Sequence, residues 1–324
     1  MAFPNVSDII ATTIENRSKK IADNVTKNNA LLTRLEQKGK IKTVSGGSKI
    51  FQELSFAENA NAGWYSGYDL LPVAAQDVIS AAEYEFKQAA CPTTISGLDM
   101  LKNSGKEQMI DLMEGRLGVC EATMANLLCG GLYSDGTAAG GKQIEGLNKA
   151  VTTTGLGTYG GIDPSVTWTF WRNQFLTPGT AVATMTAALI QGHFNTLWAR
   201  LVRGMDRPDL IVVDGGVWGV YMASLQAQQR FAGTETAKLG FPSIKYQDAD
   251  VVLDGGIGGF CPANTAFFLN TNYLHYRPHS NRNMVPLAPN KRYAINQDAE
   301  VQILAWAGNL TCSGRQFQGR LFYT

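Results

Sequence analysis

Residues 104–130, SGKEQMIDLMEGRLGVCEATMANLLCG, constrain the fold more than any other stretch. Met109, Leu112, Met113, Leu117, Cys120, Met124, Leu127 and Leu128 recur at three- and four-residue steps, which places them on one face of an α-helix. Asn103 or Ser104 can cap its first amides and Glu107 suits its positive end. Gly130–Gly131 suits a left-handed C-terminal cap. At 1.5 Å per residue, about 25 residues make a rod of roughly 37 Å, a spine for whatever packs around it.

The rest of the 324 residues supplies enough apolar side chains, 44%, for two subdomains around such a rod. Charged residues are only 17%, against roughly 25% in soluble domains. So little charge leaves a large surface under-covered unless much of it is buried against other subunits. The net charge of +1 provides no global field for gripping nucleic acid. The opening MAFPNVSDII lacks a basic region followed by an apolar run, and no apolar run approaches ~18 residues, so neither a secretory leader nor a membrane span is expected. The five cysteines are odd in number and form no CxxC pair, which fits free thiols in a reducing cytoplasm.

Residues 7–38 read as a first helix with Ile10, Ile14, Ile21, Val25, Leu32 and Leu35 on a thin apolar stripe, an arm lying across something else. Gly39 marks its end, and Ser45–Gly46–Gly47 follows as a hinge. From 49 to 96 the period changes to two: KIFQELSF and AEYEFKQ alternate as half-buried strands do, around a tip rich in Gly, Asn, Ala and aromatics. A two-stranded ribbon needs a surface to lie on. Trp64, Tyr65 and Tyr68 at its tip are suited to anchoring an interface, or to folding back on their own subunit.

After a glycine-punctuated loop the pattern becomes α/β. A helix is expected over 180–203 with Met185, Leu189, Leu197 and Leu201 on one face. A buried strand follows at LIVVD, then a helix over 216–231 with Trp218, Tyr221, Met222 and Leu225 facing inward, then strands at 250–253 and 266–269. AEVQILAWAGNLTCS and RQFQGRLFYT are expected to form a hairpin through Ser313–Gly314.

Chemistry-bearing motifs are weak. Gly155–Gly160 reads GLGTYG, a GxGxxG match, but no helix opens after it and no acid follows for a ribose. His275 and His279 are four apart, with Pro278 and strand-like LHYRP arguing against a helical zinc pair. His193 has no evident partner. Asp206, Asp209 and Asp214 flank LIVVD and suit capping better than acid–base work. There is no GxSxG elbow and no Walker loop. No catalytic residue, cofactor or metal is expected.

The segment RGMDRPDLIVVDGGVWGVYMASLQAQQRF, with FFLNTNYLHYRPHSNRNMVPL and QILAWAGNLTCS, resembles the major capsid proteins of tailed bacteriophages and their Hong Kong 97-type fold. The resemblance extends over essentially the whole chain and implies an α+β subunit. Its parts would be an N-terminal arm (1–46), an extended loop (47–96), a peripheral domain with the spine helix (97–150), an axial domain (151–282), and C-terminal strands returning to the core (283–324). It implies self-assembly into hexamers and pentamers of an icosahedral head in the bacterial cytoplasm, around double-stranded DNA held without sequence specificity. Scaffold, portal and cement proteins would be its other partners. The arm positions Ile10, Ile14 and Ile21 and the tip positions Trp64, Tyr65 and Tyr68 are then the candidate assembly contacts. Two departures stand out. The chain begins directly with the arm, which implies a separate scaffold, none, or a short form. Between Lys49 and Lys87 there is no lysine, so covalent cross-linking through the extended loop is not expected. An encapsulin-like nanocompartment shell and a nucleotide-binding enzyme built on the Gly155 loop are the alternatives.

Overall fold

A computed structural model describes residues 29–102, 112–225, 243–255, 259–287, 292–293 and 297–324. Ile10, Ile14 and Ile21 lie outside them.

The described arm begins with α1 (Ala30–Gln37), whose N-cap Asn29 accepts from the Leu32 amide at 2.9 Å. At its other end Gly39, with φ near 62°, lets the Gly39 amide reach the Glu36 carbonyl and the Lys40 amide reach that of Leu35. These paired bonds close the helix as a Schellman motif, the left-handed position falling to a residue without a Cβ. Leu31 and Leu35 are fully buried in the subunit's own core. Beyond the helix, residues 40–44 run alongside Leu274–Pro278, with parallel bridges Ile41–Tyr276 and Val44–His279. This end of the arm is therefore part of its own subunit.

β1 (Ile50–Ser55) and β2 (Ile79–Tyr84) form an antiparallel ribbon, Ile50 opposite Tyr84 and Ser55 opposite Ile79. The expected second strand, AEYEFKQ, is broken at Glu85–Phe86, where the chain leaves the ribbon. β3 (Lys87–Ser96) belongs instead to a second sheet, pairing with residues 299–308 of the long C-terminal strand Ala299–Cys312. The two-stranded ribbon thus ends at Tyr84. After the short α2 (Gly97–Lys102), the described part of the spine, α3 (Leu112–Leu132), runs across β3.

The glycines expected to end the spine lie inside it. A Cβ on Gly131 would stand 3.1 Å from Ile144, and one on Gly130 would stand 3.5 Å from Phe260. Their missing side chains admit neighbours to the helix rather than turn the chain. Cys120, Met124, Leu128 and Leu132 are buried, whereas Leu127 is 55% exposed and falls off the inner face. Each fully buried apolar side chain here contributes about 1.5–3 kcal/mol.

The remaining chain builds a six-stranded sheet. Its strands are β4 (Gln174–Leu176), β5 (Leu210–Val213), β6 (Ser243–Tyr246), β7 (Ala249–Leu253), β8 (Thr265–Leu269) and, after the strands of the second sheet, β13 (Gly319–Phe322). The order across it is β4-β13-β8-β5-β7-β6. The central strands β5 and β8 are buried on both faces, so they read as almost continuous apolar runs, as a two-sided buried sheet requires. Ile211, Val213, Ala266 and Phe268 face α4 (Ala187–Leu201) and α5 (Gly215–Leu225), where Phe194 and Tyr221 stack at 5.1 Å. Leu210, Val212, Phe267 and Leu269 face the core shared with the spine. α4 starts seven residues later than the pattern suggests, because Thr186 caps it by accepting from the Leu189 amide. Its buried face is consequently Ile190, Phe194, Leu197, Trp198 and Leu201, with Leu189 exposed. α5 is described to Leu225, with Val217 and Tyr221 buried; the rest of the expected 216–231 helix lies outside the described residues.

The second sheet is organised by β12 (Ala299–Cys312), which pairs with β3, β9 (Leu274–Pro278), β10 (Val285–Pro286) and β11 (Arg292–Tyr293). The expected C-terminal hairpin does not form. β12 lies in this sheet and β13 in the other, joined by a 3₁₀ turn at Arg315–Phe317. Among the described residues no helix is long and apolar enough to cross a membrane.

Candidate assembly interface

The ribbon is rooted by one face only. Ile50, Leu54, Ala82 and Tyr84 point inward and are at most 3% exposed, while Phe51, Glu53 and Glu83 point outward, the period of two dictating the division. Tyr84 packs edge-on against Tyr159 at 5.1 Å and donates its hydroxyl to the Cys312 carbonyl at 3.1 Å. The Glu83 amide donates to the Gly160 carbonyl at 2.9 Å. Gly160 and Gly161 both have positive φ and sit in a tight turn closed by reciprocal bonds between Tyr159 and Ile162. A Cβ on Gly160 would lie 2.8 Å from that of Ala82, so the glycine also makes room for the ribbon.

This turn ends the GLGTYG motif, and the geometry assigns the motif a role that nucleotide chemistry does not. Arg315, wholly buried, donates to the carbonyls of Ala150 at 2.6 Å, Gly157 at 2.8 Å and Leu156 at 3.2 Å. The loop presents oxygens to a guanidinium, whereas a phosphate cradle must present N–H groups. It follows no strand and opens no helix of the kind that fingerprint needs. The loop is a brace for the root of the ribbon.

Phe56 is the last contact of the ribbon with its own subunit, stacked on Phe170 at 5.8 Å and edge-on to Trp168 at 5.3 Å. Past it, every residue from 57 to 77 except Asn61 is exposed. The tip is held by its own turns: Ser66 and Asp69 exchange bonds at 2.8 and 2.9 Å, and the Asn61 side chain donates to the Ala74 carbonyl at 2.5 Å. On this frame Trp64 and Tyr68 stand fully in solvent and Tyr65 is 68% exposed. The alternative that these rings fold back on their own subunit is therefore not what the structure holds. Three aromatics offer on the order of 500 Å² of coverable surface. Leu70, Leu71 and Val73 extend the patch; the apolar run DLLPV between turn residues was the signal for them. Monomeric proteins rarely leave so much contiguous apolar area uncovered.

The other residues weighed for chemistry lie elsewhere. His275 is buried on β9, and burial together with the neighbouring charges of Lys42, Arg277 and Lys40 pushes it down to about 4. His279 follows the strand and packs against Phe86. His193 sits 3.4 Å from the Tyr323 hydroxyl. Asp209 accepts from the Thr271 amide and hydroxyl and pairs with Lys38 at 2.7 Å. Asp206 accepts from Tyr273 and Asn270, and Asp214 from the amides of Gly216 and Asn264. These acids fix turns and strand ends. Among the described residues no three His, Cys, Asp or Glu side chains cluster as metal ligands.

No protein-family model and no curated protein matches the sequence. Solved structures do. The chain is similar to a capsid chain of cyanophage A-1(L), with 16% identity over 95% of this chain and 96% of that one and a TM-score of 0.68. It is similar to the capsid of a native GTA particle, with 11% identity over 96% and 95% and a TM-score of 0.65. It is also similar to the SrpI encapsulin of Synechococcus elongatus PCC 7942, with 10% identity over 99% and 96% and a TM-score of 0.54. With arm, extended ribbon, spine helix and the two sheets all spanned by these likenesses, the chain has the Hong Kong 97-type capsid fold.

Proposed function

We propose that the protein is the major structural subunit of a tailed-phage head, assembling with copies of itself around double-stranded DNA. The observation that carries this reading is the ribbon, whose apolar tip meets nothing of its own subunit, on a fold shared with capsid chains. Residues 50–86 hold six acids and no lysine or arginine, so the ribbon suits a neighbour's basic surface as well as an apolar one. Trp64, Tyr65 and Tyr68 anchor it there, by burying rings that the free subunit leaves in water. Hexamers and pentamers are the lattice units this requires, and the arm residues Ile10, Ile14 and Ile21 add contacts between them. No enzymatic step is assigned.

The likeness to an encapsulin supports a second reading, a nanocompartment enclosing protein cargo. Electron microscopy of the purified protein tests the shell itself: closed particles or capsomer rings are expected, and a field of monomers with or without co-expressed neighbouring gene products sinks it. Nucleic acid extracted from particles made in the native system separates head from nanocompartment.

A further inference from the structure

Beyond assembly, the structure sets a thiol of α3 against Cys91 of β3. Cys91 lies on β3, half-buried, and Cys120 lies on the inner face of α3. The Cys120 thiol donates to the Cys91 carbonyl at 3.3 Å, which holds the two residues side by side. The remaining cysteines, Cys129, Cys261 and Cys312, are all buried. Cys91 alone offers an entry for a small oxidant.

We propose that Cys91 and Cys120 are a covalent modification site, forming an intrachain disulfide that clamps the spine helix to the strand leaving the extended ribbon. The oxidant is a small-molecule disulfide. The Cys91 thiolate attacks one of its sulfurs and expels the first thiol; Cys120, losing its proton, then attacks the Cys91 sulfur of the mixed disulfide and expels the second. Two protein thiols become one S–S bond while one external disulfide becomes two thiols, so electrons and protons balance. Burial and the neighbouring thiol push Cys91 up to about 11, which makes the first attack slow. The pair therefore stays reduced in a reducing cell and closes on long exposure to oxidising surroundings. The bridge would close a loop of about 30 residues, long enough for cross-linking to stabilise measurably.

The test uses the full chain, incubated with oxidised glutathione, alkylated and digested with trypsin. The expected product links peptide 88–102 to peptide 117–142, with fragmentation placing the bridge on Cys120 rather than on Cys129. The melting temperature should rise by about 5 °C and return on reduction. Cys91→Ser, at a half-buried position where folding is retained, should abolish both the linked peptide and the rise, as should Cys120→Ser. Absence of the linked peptide, a bridge to Cys129 or a bridged protein with an unchanged melting temperature would each overturn the proposal.

Discussion

Arg315 donates to the carbonyl of Gly157 at 2.8 Å, so the central glycine of GLGTYG turns its oxygen toward a buried positive charge. The same guanidinium reaches Ala150 and Leu156, binding the loop to the turn between the two sheets. Replacing Arg315 with Ala orphans the buried Ala150 carbonyl, at about 1–3 kcal/mol, and also unpairs the half-buried carbonyl bonds to Gly157 and Leu156. Urea denaturation should show a loss of at least about 3 kcal/mol. Arg315→Lys should recover little of it, since an ammonium cannot span the carbonyls that the planar fork reaches. Calorimetry with NAD or ATP should detect no binding to the wild type; heat of binding lost in Gly157→Val would restore the nucleotide reading.

The ribbon tip should behave in the opposite way. Trp64 and Tyr68 touch nothing in the subunit, so Trp64→Ala with Tyr68→Ala should change its unfolding free energy by no more than about 0.5 kcal/mol. Particle yield should fall by at least tenfold, because a pair of central aromatic anchors commonly carries several kcal/mol of an interface. Urea denaturation of the double variant reads the first outcome and sedimentation the second. Normal particles from it would remove the tip from the assembly contacts.

The fold was legible where burial repeats along the chain. LIVVD reads as a buried strand and is buried on both faces, the apolar steps of the spine bury one, and the strand-to-helix alternation after Leu210 survives in the structure. What the pattern hid was partner choice. AEYEFKQ alternates as one strand, yet its first half pairs with nearby β1 and its second with β12, whose Gly308 lies opposite Lys87 from far along the chain. The last two strands read as a hairpin because Ser313–Gly314 is a good turn, but Arg315 turns inward there and sends β13 to the other sheet. Gly130–Gly131 read as a stop because local chemistry cannot distinguish a left-handed cap from a close approach. Trp64, Tyr65 and Tyr68 were visible as large amphipathic rings at a tip, whereas their full exposure depends on how far the ribbon projects.

That glycine ambiguity gives a paired test. Gly131→Ala gains helix propensity of about 1 kcal/mol and meets only the flexible end of Ile144, so its net effect should lie within about 1 kcal/mol of zero. Gly146→Ala places a Cβ 2.5 Å from the carbonyl oxygens of Gly131 and Leu132, which are main chain and cannot step aside. It should cost more than about 2 kcal/mol. Equal thermal stabilities for the two variants would contradict this packing.

Acid should weaken the subunit through His275. Its ring is buried beside Lys42, Arg277 and Lys40 and falls to about 4, against about 6.5 in the unfolded chain. The folded state thus favours the neutral ring, and below pH 6.5 the unfolded chain binds the extra proton. The sign follows: stability from this group is whole above about pH 6.5 and is lost progressively as pH falls toward 4, amounting to about 3 kcal/mol. His275→Gln removes the titration while keeping a polar side chain of similar length. Between pH 7 and pH 4.5, urea denaturation of the wild type should lose about 2 kcal/mol more than that of the variant. Parallel pH profiles would place the acid sensitivity elsewhere, and would mean that burial and the three cations do not hold the ring neutral.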